Sequence, residues 1–223
     1  MSYRLFLLLI CLLTLTAGTM ALASRTGKSQ PASPSSIAAS FQIDDEEYAV
    51  YSALINNDLG DRGSRSSSSS TADADRVLVI DARTSLWDIS VGDESSNFFA
   101  ELKKSSQELQ PETANDLQVK SNEVTNLERK FDIKIKYVLV SDEEIEGFFK
   151  SGVDGWKTFY QKYPNSNGFL TLSRVGFNAD RTQALVYKGW HCGGLCGSGS
   201  YFLLRKKKGG WVVGPSIGPA WVS

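Results

Sequence analysis

The sequence predicts an α+β fold: an antiparallel C-terminal β-sheet of about four strands, plus one or two more from the N-terminal half, packed by short helices. Three observations carry this. Residues 168–208 hold three apolar runs joined by two links, and a fourth run follows the turn Lys208-Gly209-Gly210. Most links between those runs are short, which favours antiparallel neighbours, because parallel strands need long crossovers. Upstream, apolar residues recur at helical spacing behind capping residues.

The strand runs are 169–177, 183–188, 200–206 and the run that begins at Trp211. Asn178-Ala179-Asp180-Arg181-Thr182 makes the first turn, because Asn and Asp tolerate left-handed backbone and bond their own main chain. Leu170 and Leu172 fall on one face; Phe169, Val175 and Phe177 fall on the other, so both faces are covered. The final run holds Pro215 and Pro219 and reads as an edge strand or a broken one, since proline cannot donate to a ladder. Residues 189–199 read as a long glycine-rich link between the second and third runs, with five glycines and both downstream cysteines.

The chain has 223 residues, enough for one domain and a leader. Its 41% hydrophobic content permits a packed core, and its net charge of −1, with no basic stripe, excludes nucleic acid as the expected partner. Residues 1–23 read as a signal peptide: Arg4, an unbroken apolar run over 5–13, then Ala21-Leu22-Ala23 before Ser24. The alternative is an N-terminal membrane anchor. Residues 24–40 are rich in Ser, Pro and Ala and read as a flexible tether. A single domain over 41–223 follows, with a disordered Ser-rich loop at 60–75.

Within that domain, residues 44–59 read as a helix with an acidic first turn and Tyr48, Tyr51, Leu54 and Ile55 on one face. Residues 76–82 read as a strand, 95–107 as a short helix, 112–129 as helix and loop, and 133–140 as a strand. Ser141-Asp142-Glu143-Glu144 fits a capping box and starts a helix at once. Residues 154–163 form a second short helix. Its aromatic face of Trp156, Phe159, Tyr160 and Tyr163 is expected to lie on the sheet rather than hold a ligand.

Export leaves Cys192 and Cys196, separated by three residues. An oxidising compartment favours a disulfide between them; free thiols and metal or redox chemistry are the alternatives. No metal site is expected, because His191 is the sole histidine and a zinc site needs about four ligands. No cofactor motif is present either: the chain has no phosphate-binding glycine loop, nucleophile elbow or HExxH. Arg174 interrupts an apolar strand. It reads as an ion pair pinning strand to helix, or else as an anion-binding residue. No catalytic residue is assigned; the candidate binding residues are Arg174, Trp190, His191 and Tyr201.

From Ser141 onward the chain resembles an uncharacterised family of exported proteins. The likeness rests on Ser141-Asp142-Glu143-Glu144, Trp156 with Phe159-Tyr160 and Tyr163-Pro164, and Leu172-Ser173-Arg174-Val175-Gly176-Phe177-Asn178. It continues through Gln183-Ala184-Leu185-Val186-Tyr187 and Cys192-Gly193-Gly194-Leu195-Cys196-Gly197, and includes residues 48–55. The resemblance implies an exported α+β domain and carries no activity. Trp190-His191 and the proline-broken tail depart from the family's pattern.

The leading expectation is a non-catalytic binding or interaction module acting outside the cytoplasm, secreted or periplasmic. Its partner would be another extracytoplasmic protein or a cell-surface component, met through residues 189–199. The rival is a small extracytoplasmic hydrolase-type enzyme using His191 or Arg174.

Overall fold

The computed structural model describes residues 42–65, 75–85, 94–150 and 154–223. The expected signal peptide, the tether and residues 66–74 of the Ser-rich stretch lie outside them.

The first element among the described residues is α1 (Asp45–Arg65), whose first turn is acidic. Asp44 Oδ1 accepts the Glu47 amide at 2.9 Å and covers one orphan donor of that turn. The helix runs to Arg65, into the stretch expected to be a loop, because extending a formed helix fixes one residue per added hydrogen bond. Strand β1 (Val77–Thr84) follows, then α2 (Glu94–Ser105) and α3 (Pro111–Lys120). Proline stands in the first turn of α3, where no amide is needed. Gln183 of a distant strand secures that end: its Oε1 accepts from the Gln110 amide at 2.8 Å and the Thr113 hydroxyl at 3.0 Å.

Strand β2 (Lys136–Val140) leads into α4 (Asp142–Phe149). Ser141 caps α4 as expected, its side chain accepting the Glu144 amide at 3.3 Å. Helix α5 (Gly155–Lys162) is capped by Asp154 in the same way. The remaining strands are β3 (Phe169–Leu172), β4 (Gly176–Phe177), β5 (Gln183–Gly193), β6 (Cys196–Lys207) and β7 (Gly210–Val222).

These strands form one sheet of order β2-β1-β3-β5-β6-β7, with β4 also paired to β5. The α+β class is as expected, but the sheet is mixed. The neighbours β2, β1 and β3 run parallel, and only β3 to β7 form the antiparallel part. The reason is link length. Helices occupy both the β1–β2 and β2–β3 connections, and such connections are long enough to bring the chain back in the same direction.

The sheet is covered on both faces. Tyr51, Leu54 and Ile55 of α1 pack against Ile80, Leu172, Val186 and Leu204. Two cores fill the opposite face. Leu102, Leu109, Ala114 and Leu117 pack on Leu185, Tyr187, Tyr201 and Leu203 at α2 and α3. Ile145, Phe148 and Phe159 of α4 and α5 pack on Val79, Val140 and Phe169. The aromatic side of α5 therefore serves the core: Phe159 is buried, and Trp156 stacks on Phe169 at 5.9 Å.

The first C-terminal run is broken in the middle. Leu172 pairs with Lys188, and Phe177 pairs with Ala184. The stretch between them is one residue longer on the β3–β4 side, so Ser173-Arg174-Val175 bulges. The extra residue turns Val175 and Phe177 onto the face of Leu172, and both join the α1 core rather than the opposite one. Side chains satisfy the bulge's backbone. Tyr51 Oη donates to Ser173 O at 2.8 Å, Lys120 Nζ to Val175 O at 3.0 Å, and the Val175 amide donates to Glu47 Oε2 at 3.0 Å.

Residues 189–199 are not an open link. Strand β5 runs to Gly193 and β6 starts at Cys196, leaving a two-residue turn. Glycines there serve close packing more than looping, as the site itself makes plain.

Candidate functional site

On the face away from α1, Gly189 of β5 lies between Thr171 of β3 and Gly199 of β6. With no side chain at either glycine, polar groups from neighbouring strands lean in. A methyl group on Gly189 would stand 2.5 Å from Thr171 Oγ1, 3.0 Å from Tyr187 Oη and 3.2 Å from His191 Nε2. On Gly199 it would overlap the Tyr187 hydroxyl and the Trp221 ring nitrogen. The two glycines are therefore the floor of a cluster formed by Thr171, Tyr187, His191 and Trp221.

His191 Nε2 lies 3.3 Å from Thr171 Oγ1, a distance at which either atom can donate, depending on the tautomer. Trp221 Nε1 donates to Tyr187 Oη at 2.7 Å. The imidazole is held by rings on two sides. It stacks on Phe169 at 4.8 Å with 16° between planes, and it meets Trp221 at 5.3 Å. Burial lowers the His191 pKa from its ordinary value, which favours the neutral ring. Among the described residues, no carboxylate bonds that ring.

Where the chain turns from β5 to β6, His191 pairs with Gly197 and Gly193 with Cys196, leaving Cys192 as an unpaired bulge residue. Cys192 and Cys196 form a disulfide with Cα atoms 5.0 Å apart. Tyr160 of α5 donates to Cys192 O at 2.9 Å, tying the bulge to the helix layer. Gly168 sits at φ 104°, and a side chain there would run into the His191 carbonyl. The turn beyond projects Leu195, which is 93% exposed. Val222 of β7, paired with Ser198 at the same end of the sheet, is 85% exposed.

The four candidate residues do not form one site. His191 and Tyr201 share a face and are linked through Trp221 and Tyr187, the ring of Tyr187 lying 5.1 Å from that of Tyr201. Trp190 points to the α1 face. Arg174 sits in the β3–β4 bulge, its Nε and Nη2 donating to the two Glu47 carboxylate oxygens at 3.0 and 2.8 Å. Both partners are buried, and Arg174 also donates to Thr125 Oγ1 at 3.2 Å and Gln42 O at 3.3 Å. This is the arrangement of a strand pinned to a helix.

Thr171 and Tyr187 are site residues that the sequence did not mark, because each looks like an ordinary strand residue. Trp221 lies in the proline-containing final run, which reads only as an edge strand or a broken one. A further unmarked group is Asp81 within β1, on the face of Val79 and opposite Val140, the last residue of β2. Its burial raises its pKa, against one hydrogen bond from the Arg83 amide at 3.0 Å. Among the described residues, no cluster of three His, Cys, Asp or Glu side chains could hold a metal ion, and no helix is long and apolar enough to cross a membrane. Comparison with protein-family models, with curated proteins and with solved structures finds no match.

Proposed function

We propose that the chain is an exported, non-catalytic interaction module whose contact element is the disulfide-clamped end of the β5–β6 hairpin. One observation carries the reading: Leu195, a large apolar side chain, stands 93% exposed at the tip of a two-residue turn. An exposed leucine on a mobile loop would mean little. Here the tip is held by the Cys192–Cys196 bond and by Tyr160. A contact group held in place before binding loses less freedom on association, and this raises affinity. The partner class is another extracytoplasmic protein or a cell-surface component.

The test is capture of partners from an extracytoplasmic fraction by the immobilised chain. The module reading expects a specific partner that Leu195→Asp loses about tenfold or more, and that reduction of the disulfide weakens. A partner retained equally by Leu195→Asp would move the contact away from the hairpin.

The enzyme reading has one observation in its favour, the Thr171–His191 approach at 3.3 Å. A hydroxyl beside a neutral imidazole is the start of a nucleophile–base pair. Turnover of ester or amide probes that is lost in both His191→Ala and Thr171→Val would favour it over the module.

A further inference from the structure

The sheet has two edges, and they are built differently. Strand β7 forms one. It holds two prolines, which have no amide to offer, and register shifts interrupt its ladder with β6. Strand β2 forms the other. Its residues, Lys136–Val140, pair with β1 in unbroken register and include no proline. Among the described residues, no backbone hydrogen bond reaches the outer side of β2, so every second residue points its N–H and C=O away from the sheet. Both faces are also left part open at this margin. Tyr137 and Leu139 lie half-buried against the α1 core, and Val138 lies half-buried against the core under α4 and α5. The two ends of β2 carry opposite charge. Lys134 and Lys136 stand exposed at its entry, while Asp142, Glu143 and Glu144 open α4 just after its exit. Asp142 is paired with Arg83 and Glu144 with Lys162. Among the described residues, Lys134, Lys136 and Glu143 have no ion-pair partner.

We propose that β2 pairs antiparallel with β2 of a second copy of this chain across a two-fold axis, joining two sheets into one. Charge selects the direction. Antiparallel pairing sets the basic entry of each copy beside the acidic exit of the other, whereas parallel pairing would set lysine against lysine. In a register centred on Val138, Lys136 lies opposite Val140 of the other copy and within a long side chain's reach of the acidic turn that follows. The contrast between the edges selects the partner. Pairing β2 with β7 would be head-to-tail and would run on into a fibre, and the prolines and shifts of β7 oppose it. Pairing β2 with β2 closes at two copies. The added strand also finishes covering Tyr137, Val138 and Leu139. A short strand makes a small contact, so the dimer is weak, with a dissociation constant on the order of 0.1 mM. No residue of the hairpin tip takes part, so this interface stands or falls independently of Leu195.

The experiment is sedimentation equilibrium of the exported, purified chain, with hydrogen exchange of the β2 amides followed at several concentrations. The unaltered chain should pass from monomer to dimer near about 0.1 mM and form nothing larger. At about 1 mM roughly four-fifths of the chains are then paired, so the outward β2 amides should exchange about fivefold more slowly than in dilute solution, yet far faster than those of β5. Lys136→Glu and Glu143→Lys, both at exposed positions, should each weaken self-association about tenfold while circular dichroism stays native. An equimolar mixture of the two variants should restore pairing, because every contact between those positions then joins opposite charges again. A chain that stays monomeric at about 1 mM overturns the proposal; protection of its β2 amides by an added foreign protein would then give the edge to a different partner. A dimer that both variants leave intact also overturns it, as do growth beyond two copies and β2 exchange that ignores concentration.

Discussion

At the residue scale, the costliest group to disturb is the Glu47 carboxylate. It is 1% exposed and accepts from both the Arg174 guanidinium and the Val175 amide. Replacing Arg174 with Met leaves that charge buried with one backbone donor, and urea denaturation should report a loss of about 3–5 kcal/mol. The double variant Glu47→Leu with Arg174→Met should recover part of the loss, because no charge is then stranded. His191 gives a second prediction. Its folded pKa is lowered by burial, so below about 6.5 the unfolded chain binds the proton more readily. Stability should then fall as pH drops from about 6.5, by at most about 1.4 kcal/mol per unit, until the folded ring itself protonates. His191→Gln should flatten that slope. Carboxylates whose pKa is lowered, Glu46 by Lys206 and Glu144 by Lys162 among them, hold their contribution above about 4.5 and lose it only under more acidic conditions, so the decline due to His191 begins at higher pH.

At the element scale, the β5–β6 hairpin is held by one covalent bond over a very short loop. Opening it with Cys192→Ser should cost about 2 kcal/mol in the chain-entropy account, a small effect on the fold. Thiol titration of the unfolded, unreduced chain lacking residues 1–23 should find almost no free sulfhydryl, and the free thiols of Cys192 and Cys196 only after reduction. Gly189→Ala should destabilise more than its size suggests, by about 1–3 kcal/mol, since the new methyl meets Thr171 Oγ1 at 2.5 Å. Much at this scale was legible in the sequence. Ser141 capping α4, the aromatic face of α5, the cysteine pair and the C-terminal strands all rest on local chemistry that a short window contains. The length of the hairpin was not, because Gly189 and Gly199 read as loop residues when their work is to make room inside a sheet. The parallel strands were missed because a run such as Val77–Thr84 does not reveal the direction of its neighbour; the long helical links on either side of β2 were the available signal.

At the scale of the whole molecule, the sheet is best protected at its centre. Leu185, Val186 and Tyr187 of β5 are buried, with α1 packed on one face and α2 and α3 on the other. Hydrogen exchange should find the amides of Leu185 and Val186 among the slowest, opening only with global unfolding, and those of β2 and the end of β7 much faster. Slow exchange at β2 equal to that of β5 would contradict this layering. The same scale explains why the polar cluster could not be read in advance. Thr171, Tyr187, His191 and Trp221 come from three strands, and what brings them together is strand register. Register depends here on bulges at Ser173-Arg174-Val175 and Cys192 and on the shift in the β6–β7 ladder that brings Trp221 opposite Gly199, and none of them leaves a distinctive pattern of residue types.

The first of those bulges gives the chain an arithmetic of its own. The interval from Leu172 to Phe177 is odd, yet both side chains enter the same core. Removing a single residue there would straighten the strand: Phe177 would keep its side of the sheet, but the bulge that sets the Arg174 guanidinium and the Val175 amide against Glu47 would be lost. At this point the fold reads the number of residues before it reads their identity. Homologous chains that tolerate substitutions across this segment should be intolerant of any change in its length.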